Sequence, residues 1–63
     1  MDIDELIQEL ETIQAKRHQL INALRDIAKQ HPERFEEVEL RKLNHFVSDL
    51  STLRLARLYK RVQ

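Results

Sequence analysis

Sixty-three residues with no Cys, no Gly and a single Pro allow one small domain, and they exclude disulfide staples, thiolate metal sites and glycine-built phosphate loops. Eleven basic and eleven acidic side chains give a formal net charge of zero, which speaks against sequence-blind attachment to nucleic acid. The charges are nevertheless segregated: Asp2, Asp4, Glu5, Glu9 and Glu11 gather at the start, and Arg54, Arg57, Lys60 and Arg61 at the end.

The first predicted element is a helix over about residues 2–30. Asp2 followed by Glu5 has the form of a capping box, and Met1 with Leu6 the form of a hydrophobic staple. Acid in the first turn suits the positive end of the helix dipole. Ile3, Leu6, Leu10, Ile13, Arg17, Leu20, Leu24 and Ile27 recur at spacings of three and four, an a/d seam with one charged member. Ile7, Ile21 and Ala28 lie at e positions and widen the seam to the face of a bundle helix.

QHP at 30–32 is the only punctuation. Pro32 lacks an N–H and disfavours helix at His31, so the first helix stops near Gln30, and a short connection favours an antiparallel hairpin. The second helix is expected over about residues 32–62. Val38, Leu40, Leu43, Phe46, Val47, Leu50 and Leu53 form one broad face of it, while Leu55, Leu58, Tyr59 and Val62 fall on another. With no Gly or Pro at the change of face, one continuous helix is the favoured reading. The alternative is a break near Ser48–Ser51, with a serine capping a third helix.

A hairpin turning at His31 would set Arg54 opposite Glu9, Arg57 opposite Glu5 and Arg61 opposite Asp2. The basic tail then reads as half of an interhelical charge pattern that fixes orientation. Leu55, Leu58 and Val62, with Tyr59, would be left as an exposed apolar stripe, the expected surface for self-association or for another protein's helix. The alternative for the tail is a nucleic-acid stripe on Arg54, Arg57, Lys60 and Arg61, with Tyr59 stacking on a base.

Nothing announces catalysis. His18, His31 and His45 are too widely spaced for a zinc helix motif and have no nucleophile at triad-like spacing. Arg17 on the seam is expected to pack its stem and send its head to Asp49, another subunit's acid or water. The stretch IQAKRHQLINALRDIAK is similar to the first helix of the helical chorismate mutases, with an Arg three residues before a Leu and a Lys further on. The early basic residue of that family is missing and the chain is shorter than its domain, so no role is carried over.

The expectation is therefore an all-α single domain, an antiparallel two-helix hairpin dimerising into a four-helix bundle. In shape alone it resembles the small plasmid-encoded RNA-binding Rop proteins. It is expected to be a non-enzymatic protein–protein interaction module without cofactor or metal. No apolar run approaches the roughly 20 residues of a membrane span. The acidic opening lacks a signal peptide's basic region, and the absence of Cys fits the cytoplasm.

Overall fold

Helix follows helix along the whole chain, with no strand among the described residues, in a computed structural model that describes residues 2–63. The long helix α1 spans Ile3–Gln30, α2 spans Glu37–His45 and α3 spans Thr52–Val62. Single 3₁₀ turns, Pro32–Arg34 and Val47–Asp49, lie in the two connections. The continuous second helix expected over 32–62 does not form. The three-helix alternative does, with Ser51 as the cap.

Asp2 opens α1 as expected, its carboxylate accepting from the Asp4 N–H at 3.0 Å. The reciprocal bond from Glu5 is not among the hydrogen bonds of the described residues. A bond of that kind appears instead at α2, where the Glu39 carboxylate accepts from the Glu36 N–H at 2.8 Å. The Met1–Leu6 staple lies outside the described residues. Pro32 ends α1 as expected, but it starts a 3₁₀ turn rather than the next helix.

The two connections are built alike. After α1, His31 (φ −138°, ψ 62°) leaves the helix, a 3₁₀ turn follows, Phe35 is extended (φ −115°, ψ 151°) and Glu36 precedes α2. After α2, Phe46 (φ −138°, ψ 41°) leaves the helix, a 3₁₀ turn follows, Leu50 is extended (φ −101°, ψ 119°) and Ser51 caps α3. The Ser51 hydroxyl accepts from the Arg54 N–H at 3.1 Å, satisfying a donor that the new helix leaves open. Each break thus places one extended apolar residue, Phe35 or Leu50, in the core. Burying each removes a large apolar side chain from water, an effect of about 1.5–3 kcal/mol, more than a cap alone supplies.

The core is Ile21, Leu24, Phe35, Leu43, Leu50, Leu55, Leu58 and Val62, with Leu24, Leu43 and Leu55 wholly buried. Breaking the tail explains it. A straight helix would point Leu55, Leu58 and Val62 away from Leu43, whereas the Phe46–Ser51 corner turns both sets onto α1. The stripe expected to lie exposed is therefore the chain's own core.

Arginines settle the helix directions. Arg17 donates to the Val47 carbonyl (3.0 Å) and the Thr52 hydroxyl (3.3 Å), at the corner between α2 and α3. Arg25 donates through both Nε and Nη2 to the Leu43 carbonyl, at 3.1 and 2.8 Å, near the end of α2. Arg34 donates to the Val62 carbonyl at 3.2 Å, closing α3. So α2 runs back along α1, and α3 runs with it, starting beside Arg17. Carbonyls in the last turn of a helix lack intrahelical partners, and in a chain without glycine caps Arg25 and Arg34 satisfy those of Leu43 and Val62, whereas the Val47 carbonyl held by Arg17 also accepts from the Leu50 N–H at 3.0 Å. Arg17 therefore serves backbone and hydroxyl acceptors, not Asp49.

Candidate protein-interaction face

Helix length creates the exposed face. α1 has 28 residues, while α2 and α3 have 9 and 11. At a rise of about 1.5 Å per residue, α1 is more than twice as long as either partner, and the molecule measures 45 × 20 × 15 Å. The two short helices cover α1 from about Arg17 to Ala28. Its leading half stands clear.

That half still carries the seam. Ile3 is 61%, Ile7 44%, Leu10 55% and Ile13 50% exposed, and Leu6 is half-buried. By helical periodicity these five residues continue the face that holds Ile21 and Leu24 in the core. The seam was legible in the sequence, but its leading half was read as the inside of a hairpin. Helix length was the signal: once Ser51 caps α3, that helix starts beside Arg17 and runs away from residues 3–13. Near the corner, Phe46 and Leu53 are 53% and 60% exposed. Phe46 directly precedes Val47 and Leu53 directly follows Thr52, the two residues that Arg17 holds.

The residues expected to form a stripe are placed differently. Leu55, Leu58 and Val62 are buried, and Tyr59 is half-buried at a shallow groove lined with Lys16, Gln19, Leu20 and Ala23. Arg54, Arg57, Lys60 and Arg61 are exposed. None meets Asp2, Glu5 or Glu9, because α3 begins beside Arg17 and runs away from them. Arg61 instead pairs with Glu39 on α2, and Arg54, Arg57 and Arg61 surround that carboxylate on one open depression.

The Arg61 guanidinium, helped by the Glu36 N–H and opposed by partial burial, holds the Glu39 carboxyl below the usual carboxylate range. Because the folded value is depressed, the pair's stabilisation is present above the unfolded value and is lost as pH falls through the folded one. An exposed pair contributes only about 0–1 kcal/mol. Glu39→Gln is therefore expected to lower the melting temperature slightly at neutral pH and leave it unchanged at the acid end, so that the acid limb of a melting-temperature-against-pH curve becomes slightly shallower. An unaltered acid limb would show that the pair contributes nothing.

No grouping of three or more His, Asp or Glu among the described residues is arranged to hold a metal ion. No helix among them is long and apolar enough to cross a membrane. Compared with known proteins, the chain matches no protein-family model, no curated protein and no solved structure.

Proposed function

We propose that this chain is a small non-enzymatic interaction module, an adaptor, regulator or assembly factor acting in the cytoplasm. Its working surface is the uncovered face of α1, Ile3 to Ile13, in place of the Leu55–Val62 stripe that the sequence suggested. One observation carries the reading: four large apolar side chains, each 44–61% exposed, stand in file on a helix that the core already fixes. A contiguous exposed apolar face normally marks an interaction site, and a preformed helix offering anchors at helical spacing is a recurrent recognition mode. Such a face also needs covering, since an isolated helix of this length is marginal in water.

Leu10→Glu places a charge in the middle of the face and touches nothing in the core. The expected outcome is association to any partner, itself included, weakened at least about tenfold, a loss of about 1.4 kcal/mol or more, with the melting temperature unchanged at dilutions where the parent protein is also a single chain. Equal association by both proteins would sink the reading.

The rival is a nucleic-acid-binding regulator using Arg54, Arg57, Lys60 and Arg61. Glu39 lies among these arginines and would compete with phosphate. Arg57→Glu with Arg61→Glu should leave association through α1 intact and cost a little stability where Arg61 leaves Glu39. If nucleic acid binds, and this double variant together with added salt abolishes it, the rival holds instead.

A further inference from the structure

On the reading that the leading half of α1 is an interaction face, we infer that its occupant is the same face of a second copy of this chain, running antiparallel. Ile3, Leu6, Leu10 and Ile13 hold the a and d positions of successive heptads. In an antiparallel pair, a positions face d positions. Ile3 then packs on the partner's Ile13, and Leu6 on the partner's Leu10, with the two-fold axis repeating both layers. Every layer in this register is apolar. It ends one turn before Arg17, whose guanidinium is already engaged with Val47 and Thr52. Ile7, at an e position, meets the partner's Ile7 across the axis.

Sterics set the direction. α2 and α3 pack on this same face of α1 further along, against Ile21 and Leu24. A parallel partner would bring its own α2 and α3 to the same flank, and two bodies would need one space. An antiparallel partner carries its short helices beyond the far end of α1. Its own Ile3 then arrives near the corner where Phe46 and Leu53 stand exposed.

Charge points the same way. The start of α1 is acidic at Asp2, Asp4 and Glu5, and its middle is basic at Lys16, Arg17 and His18. Antiparallel pairing lays Asp2 beside the partner's Lys16. It also brings the partner's acidic start toward the first turn of α3, which holds Arg54 and no acid. Parallel pairing would lay acid on acid along the whole opening. One like-charge contact remains in the antiparallel register, Glu9 with the partner's Glu9, at an exposed position where repulsion is weak.

The chain lacks Cys, so introduced cysteines report contacts without background. Light scattering across a concentration series is expected to show the mass rise from one chain to two, with Leu10→Glu remaining at one. Ile3→Cys mixed with Ile13→Cys, treated with a short bismaleimide, is expected to link about tenfold more than either variant alone, since only the mixture brings two cysteines into one layer. Both positions lie outside the core, and unchanged circular dichroism verifies that folding is intact. A single-chain mass at every concentration overturns the self-pairing. If that monomer binds a different protein and loses it with Leu10→Glu, the interaction-face reading survives by itself. Linking of Ile3→Cys to itself overturns the antiparallel direction.

Discussion

Leu55→Ala is expected to abolish cooperative unfolding, leaving a chain with residual helix and no thermal transition. Leu55 is wholly buried, one of only eight buried side chains among the described residues. Removing the atoms of a buried leucine costs about 2–5 kcal/mol, the range reflecting how far the cavity collapses. This site has little scope to collapse, because the residue closes the first turn of α3 through its N–H bond to the Ser51 carbonyl, and Leu58 and Val62 are buried in the same core. A single small core rarely supplies more than about 3–5 kcal/mol. The loss therefore equals most of the total. Leu53→Ala, two residues away and 60% exposed, is the control and should shift the melt little in the monomer. A cooperative melt retained by Leu55→Ala would mean that the stability resides elsewhere.

Arg25→Ala is expected to destabilise the fold by about 1.5–3 kcal/mol, the range for hydrogen bonds that involve a charged group. Its fork donates twice to one acceptor, the Leu43 carbonyl, and Leu43 is wholly buried. Without Arg25, that carbonyl loses both of these bonds. Arg25→Lys should recover only part of the loss, since an ammonium cannot reproduce the planar fork. Arg57→Ala, on the exposed side of α3, should change stability by less than about 0.5 kcal/mol. Urea denaturation of the three variants separates these outcomes, and equal effects from Arg25 and Arg57 would refute a capping role.

Much of α1 was legible. Asp2 and Pro32 mark its ends through side-chain chemistry that acts within a few residues, and the seam between them repeats too regularly to mistake. The corner at Phe46–Ser51 was harder to read. No Gly or Pro marks it, and its driving force is tertiary: Leu50, Leu55, Leu58 and Val62 are buried only if the helix breaks. Local pattern supplied the clue, a change of face beside a possible serine cap, but could not weigh burial gained against helix lost. The tail arginines misled for a related reason. Their spacing matched acids at the start in a hairpin register, yet the register itself depended on the missing corner. Arg17 shows a further limit, because its partners are a carbonyl and a hydroxyl, and every residue offers a carbonyl. The candidate face was thus visible as a pattern, but whether it lay inside or outside depended on where α3 began.

The arginine closures have a consequence for how the molecule comes together. α2 and α3 are each too short to persist alone in water, and the groups that finish them belong to α1 and to the turn after it. Their helical state is therefore conditional on docking. The last thirty or so residues are thus expected to acquire secondary structure together with packing against the rear half of α1. Damage to any one of the three guanidinium contacts should be felt along the whole tail at once.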